Sequence, residues 1–184
     1  MKMNAVLGRA LLHRTPVSQL RASSSNLSLR QSRPILRTMA SSNDTGVKLD
    51  KDTPDSVWKQ MLSAEEYHVI RQKGTERPFS ENYSKFYEQE PTDGVYVCRA
   101  CNTPLYNADT KFSAGCGWPA LYQEIPGTVD RHTDSTMGMT RTEITCKNCG
   151  GHLGHEFLGE GFPTPTNSRH CVNYVSIKYV PAKK

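Results

Sequence analysis

Residues 1 to 43 hold no Asp, no Glu and no aromatic side chain, while Lys2, Arg9, Arg14, Arg21, Arg30, Arg33 and Arg37 supply seven cations among Ser and Leu. An acid-free, Arg- and Ser-rich leader of this kind reads as an organellar transit peptide, expected over residues 1–38. It lacks the unbroken apolar segment of a secretory signal, which argues against export. Nowhere does the chain offer the roughly 18 consecutive apolar residues a spanning helix needs. A period of solenoid or propeller length is also missing, which leaves a single domain rather than an array. Mitochondrial import is the expected use of the leader and the chloroplast the alternative. A basic tail that binds nucleic acid is the competing reading, and the absence of aromatics together with the amphipathic look of residues 6–12 tells against it.

The chain has 184 residues and a formal charge of +5, so a mature form that begins at Met39 and loses the seven leader cations carries −2. A near-neutral domain has no electrostatic reason to bind nucleic acid. Met39 also opens the possibility of a second start that yields a cytosolic form. Residues 39–52, with Ser-Ser-Asn-Asp-Thr-Gly, have linker composition. From Thr53 to residue 184 roughly 130 residues remain, enough for one domain with a modest core.

Two start signals predict two short N-terminal helices: Thr53 before Pro54, and Ser63 three residues before Glu66. The first helix is expected to carry Val57, Trp58, Met61 and Leu62, and the second Tyr67, Val69 and Ile70 before Gly74 ends it. Residues 77–83 read as irregular, aromatic cover for the core. From Gly94 the pattern turns to β, with strands expected at 95–97, 142–145 and 172–180 between Gly, Pro, Asn and Asp turns. The expected fold is mainly β, an antiparallel sheet domain.

Six cysteines sort by spacing. Cys98/Cys101 and Cys146/Cys149 each form a CxxC behind a strand, 44 residues apart, and two such knuckles bring four thiolates to the corners of a structural zinc site that staples the sheet. A site with four thiolates is closed to catalysis. Disulfides are disfavoured behind an import leader.

Cys116 and Cys171 remain. On the strand read over 172–180 and its approach, a period of two puts Arg169, Cys171, Asn173, Val175 and Ile177 on one face. A permanent cation beside a thiol favours the thiolate, the nucleophilic form. Cys116 stands between Gly115 and Gly117, where the backbone can move, and nothing near it in sequence supplies a cation. A mobile thiol near a reactive one suits a resolving role. His152 and His155, on what reads as a flexible Gly-rich segment, are candidate proton donors at neutral pH. Trp118 offers an aromatic surface for an apolar ligand group, or is simply core.

The order CxxC, GCGWPA, CxxCGGHLGH, GEGF and RHCVN resembles the B-type peptide methionine sulfoxide reductases over nearly all of residues 49–181. The resemblance implies a zinc-bound antiparallel β fold and reduction of the R epimer of methionine sulfoxide, chiefly in proteins. It implies that Cys171 attacks, Cys116 resolves, Trp118 lines the substrate pocket, and His152, His155, Asn173 and Arg169 serve the reacting sulfoxide. One structural zinc per chain is expected from the two knuckles, recycling of the thiols is expected from thioredoxin-type exchange, and a monomeric state is expected. Leu121 and Glu156 depart from the family pattern, where an aromatic and Val are common. Two other function classes stay open on residues alone: a non-catalytic zinc-ribbon binding module, and a peroxide sensor built on Cys116 and Cys171.

Overall fold

The computed structural model describes residues 48–183; the leader, Met39 and most of the expected linker lie outside the described residues. Helix α1 spans Asp55–Met61 and α2 spans Ala64–Gln72. The capping box of α2 forms as the spacing predicts. Ser63 Oγ accepts the Glu66 N–H at 3.2 Å, and the Glu66 carboxylate accepts the Ser63 N–H at 2.9 Å. The start of α1 differs from expectation: the Thr53 hydroxyl donates to Asp50 Oδ1 at 2.7 Å, and Pro54 occupies the cap position with no side-chain cap. Lys73, with φ of 56°, makes the left-handed C-cap of α2 expected of Gly74. At Gly74 a Cβ would lie 2.5 Å from the ring of the exposed His68, which would have to turn aside.

Residues 77–83 were expected to be irregular, but Glu81–Ser84 forms a third helix, α3, which runs into a π-helical turn at Lys85–Gln89. That turn buries Phe86 between the rings of Tyr87 and Tyr96. Packing against the sheet holds a helix that the local aromatic run obscured.

Eight strands follow: β1 Gly94–Cys98, β2 Pro104–Asn107, β3 Ala120–Leu121, β4 Val129–Asp134, β5 Arg141–Cys146, β6 His152–Leu158, β7 Ser168–Val172 and β8 Ile177–Pro181. They form two antiparallel sheets, ordered β2-β1-β8 and β3-β7-β6-β5-β4. One apolar core includes Trp58 of α1, Tyr96 and Leu105 of the small sheet, and Ile144, Leu153 and Val172 of the large one.

Two expectations about the catalytic region need correction. The strand read over 172–180 is broken: the Asn173 N–H donates to Leu153 O at 2.8 Å and a 3-10 turn at Tyr174–Ser176 carries the chain from one sheet to the other. Val175 and Ile177 therefore do not share a face with Cys171. The Gly-rich segment holding His152 and His155 is not a loose loop but the start of β6, paired on both sides by β5 and β7.

Candidate active site

The four cysteines of the paired knuckles meet. Their sulfurs lie within 4.8 Å of one another and all four residues are buried, with Cys98 and Cys149 at 3.7 Å and Cys101 and Cys146 at 3.6 Å. A tetrahedron with zinc–sulfur bonds of about 2.3 Å has edges of about 3.8 Å, so the donor set and its spacing fit zinc. The knuckles follow β1 and β5, which belong to different sheets, so a metal there would clamp the two together.

The other two cysteines meet as well. Cys171 pairs with His155 of β6 on one side and with Ala120 of β3 on the other. This close passage depends on Gly154, whose Cβ, were it present, would sit 1.9 Å from the Cys171 carbonyl oxygen. Cys116 is delivered by a loop in which Gly115 and Gly117 adopt φ of 65° and 89°. The Phe79 N–H donates to Gly117 O at 2.8 Å and fastens that loop to the segment before α3. The sulfurs of Cys116 and Cys171 are 4.0 Å apart, a gap that must close by about 2 Å to make a disulfide.

The two thiols share their chemistry. A hydrogen bond from the Cys171 thiol is the main reason the Cys116 thiol is held down to about 6, and the same contact, with burial, pushes Cys171 up; the Arg169 guanidinium favours the thiolate on both. The sequence reading had placed a cation near Cys171 alone. In the fold Arg169 serves the pair, because the Cys116 loop closes over β7. Arg169 is itself aimed by a bidentate pair with Glu160, at 2.6 and 2.8 Å, and by stacking 4.4 Å from the Phe157 ring.

What separates the two cysteines is access. A cavity of about 120 Å³ is lined by Thr75, Trp118, Arg141, His155, Phe157, Cys171 and Asn173. Cys171 is among its lining residues and Cys116, equally half-buried, is not. A polar groove of about 740 Å³ adjoins it, sharing Thr75, Arg141 and His155 and reaching His152.

The two histidines, with ring centres 5.5 Å apart, are held differently. His152 is buried, and its Nδ1–H donates to Glu143 Oε1 at 2.8 Å. Burial lowers its pKa despite that carboxylate, which keeps the ring neutral at pH 7. Burial works against ionisation of Glu143 too, but hydrogen bonds from Lys73 and His152 outweigh it and bring the carboxyl below its ordinary range. His155 is half-buried at the cavity wall, with Nε2 bonded to Asp134 Oδ2 at 2.8 Å. Asp134 is anchored by the Thr136 hydroxyl and N–H, which with His155 and Arg141 hold its carboxyl below the usual carboxylate range. An imidazolium at 155 would have Asp134 as its counter-ion and Nδ1–H left to donate.

Of the residues singled out from sequence, Cys171, Trp118, His155 and Asn173 line one cavity, Arg169 and Cys116 lie outside that lining, and His152 opens onto the groove beside it. The reading missed Arg141, Phe157, Asp134, Glu143 and Glu160. Phe157 could have been found as the residue two beyond His155 on a strand, but the carboxylates could not, because each is defined by a partner remote in sequence. The two departures from the family pattern lie outside the cavity lining: Leu121 is fully buried in the core, and Glu156 turns away to bind Arg131 at 2.6 and 3.1 Å and Ser168 at 2.7 Å.

Comparison with known proteins agrees with this geometry. The family profile described as SelR domain matches residues 62–181. The peptide methionine sulfoxide reductase B5 of Oryza sativa subsp. japonica is 52% identical over 144 residues, covering 78% of this chain and 99% of that one. The peptide methionine sulfoxide reductase B4 of Arabidopsis thaliana is 52% identical over 126 residues, covering 68% and 86%, and the peptide methionine sulfoxide reductase MsrB of Agrobacterium fabrum is 49% identical over 138 residues, covering 74% and 96%. With that match spanning both knuckles, the Cys116 loop and the Cys171 strand, the chain belongs to the SelR family, that of the B-type peptide methionine sulfoxide reductases.

Proposed function

We propose that this enzyme reduces the R epimer of methionine sulfoxide in proteins, with Cys171 as nucleophile and Cys116 as resolving thiol. The observation that carries the assignment is that Cys171 lines the cavity formed with Trp118, His155 and Asn173, while Cys116 stands outside that lining with its sulfur 4.0 Å from that of Cys171. At rest the shared proton sits on Cys171, which donates it to the Cys116 thiolate, and its transfer to Cys116 as substrate arrives frees the Cys171 thiolate for attack. Trp118 and Phe157 take the S-methyl group by apolar contact. The thiolate attacks the sulfoxide sulfur as His155 donates Nδ1–H to the oxygen, with Asp134 holding the ring. With a second proton from solvent the sulfoxide oxygen leaves as water, and a water molecule then adds to Cys171 Sγ as methionine departs and the proton returns to solvent, which leaves Cys171 oxidised to a sulfenic acid. Cys116 then attacks that sulfur and expels water, and a dithiol protein such as thioredoxin reduces the resulting disulfide. Zinc held by Cys98, Cys101, Cys146 and Cys149 would supply folding free energy and, with four thiolates around it, no open coordination site.

The test is methionine released in a single turnover, followed by steady-state rates with thioredoxin and with dithiothreitol. Cys171→Ser is expected to form none with any reductant. Cys116→Ser is expected to complete the first turnover, lose the thioredoxin-driven rate and keep a dithiothreitol-driven one. A folded Cys116→Ser protein that releases no methionine in the first turnover, or that keeps its full thioredoxin rate, overturns the assignment.

The leader carries a proposal of its own on composition, namely import into mitochondria, with initiation at Met39 giving a cytosolic form engaged in the same repair of oxidised proteins. Met39→Leu is expected to deplete the cytosolic pool on cell fractionation; an undiminished pool excludes that start.

A further inference from the structure

Glu76 joins two walls of the cavity without being part of its lining. Its main-chain N–H donates to Asn173 Oδ1 at 3.0 Å, and its main-chain carbonyl accepts from Trp118 Nε1 at 2.9 Å. Two side chains that flank Cys171, from loops far apart in sequence, are thus held by one residue. Main-chain groups can hold a position only if the residue bearing them is itself fixed, and the Glu76 side chain does this. Its Oε2 accepts the Val175 N–H at 3.0 Å, from the turn that follows β7, and its Oε1 accepts from Asn82 Nδ2 at 3.1 Å and from the Ser80 hydroxyl at 3.4 Å. The residue is 8% exposed. Burial raises the carboxyl against the hydrogen bonds from Val175 and Asn82, the usual state of a buried acid kept for its bonding.

We propose that Glu76 is a positioning residue for the sulfoxide cavity: anchored by its carboxylate to Val175 and Asn82, it uses its own peptide groups to hold Trp118 and Asn173 in register with Cys171. The inference rests on the reading of the cavity given above. It has a local consequence, since Thr75, next in the chain, lines the cavity directly, and a shift of this segment reshapes the wall. Small displacements of binding groups cost large factors in rate.

Glu76→Gln keeps the acceptor for Val175, and the Asn82 amide and Ser80 hydroxyl can each turn to accept from the new amide. Glu76→Ala removes the anchor, and Glu76→Asp withdraws it by one methylene should the alanine protein fail to fold. The expected result is a rise of about tenfold in KM for an R-sulfoxide peptide in the Ala and Asp proteins with a smaller change in kcat, and values within about twofold of the parent for Gln. Acrylamide quenching gives a second readout that needs no turnover, because Trp58 is fully buried and Trp118 half-buried; quenching should increase in Ala and Asp and stay at the parent level in Gln. Alkylation of the cysteine pair by iodoacetamide should be unchanged in all three. Unchanged KM and quenching in folded Ala or Asp protein overturns the proposal, as does a Gln protein as impaired as Ala. If the parent reduces no sulfoxide, the functional reading fails, and the quenching series alone then decides whether Glu76 positions Trp118.

Discussion

Gly154 shows what one residue contributes to this site. It lets β6 and β7 approach closely enough for His155 and Cys171 to be cross-strand neighbours, and any larger residue would collide with the Cys171 carbonyl at 1.9 Å. Backbone at φ of 156° adds strain for a side chain. Overpacking and strain each cost on the order of 1–3 kcal/mol, so Gly154→Ala is expected to destabilise the domain by about 2–6 kcal/mol. Urea unfolding measures this, and a midpoint equal to the parent's would show that the strands part without cost. Sequence reading saw Gly154 only as a source of flexibility between two histidines. Its actual role is the opposite, since it permits the tight register that makes the histidine segment rigid.

At the scale of elements, the metal knuckles and the sheet switch divide the work. Cys98 closes β1 and Cys146 closes β5, so a metal held by the four-cysteine cluster would clamp two sheets that otherwise meet through the apolar core. Metal-binding free energy in such sites is folding free energy, on the order of 10 kcal/mol, comparable with the whole stability of a domain this size. Cys98→Ser is therefore expected to lose metal by elemental analysis and to melt far below the parent or not fold; a metal-free protein that melts like the parent would refute the clamp. The clamp was legible because spacing alone identifies it. The break at Asn173 was not. Residues 172–180 are rich in β-branched and aromatic side chains with neither Gly nor Pro, and what ends β7 is a hydrogen bond to Leu153 on a neighbouring strand.

For the whole molecule, a buried polar cluster around His170 of β7 predicts how stability depends on pH. His170 is 1% exposed, with Nδ1 3.0 Å from the Tyr106 hydroxyl and Nε2 3.2 Å from Glu156 and 3.4 Å from Glu124. Arg131 braces both carboxylates. Burial pushes the imidazole below its ordinary 6.5, so the unfolded chain takes up a proton first as the solution is acidified. This stabilisation is present above pH 6.5 and is lost below it. Burial raises Glu156, but Arg131 and Ser168 more than reverse that and bring it from an ordinary 4.5 to about 2. Its contribution is complete above pH 4.5 and disappears as the pH falls toward 2. Thermal melts are expected to decline first below pH 6.5 and again below 4.5, with Glu156→Gln making the second decline shallower while Asp134 and Glu143, also held below their ordinary values, keep part of it. Parallel profiles for parent and variant below pH 4.5 would rule out that source.

The sequence by itself determined the chemistry available: two CxxC knuckles at sheet ends, two further thiols, a tryptophan, two imidazoles, and the β-rich patterning that makes an antiparallel domain. Those are properties of residue type and spacing, which depend on neighbours within a few positions. Tertiary structure alone decided that Arg169 acts on both cysteines, that Cys171 and not Cys116 lines the cavity, and that Asp134 and Glu143 orient the histidines. It also decided that the peptide groups of Glu76 bind Trp118 and Asn173, partners 42 and 97 positions away. Hydrogen bonds and fields between such distant residues exist only once the two sheets have closed on each other, because their strength depends on ångström separations that local sequence does not encode.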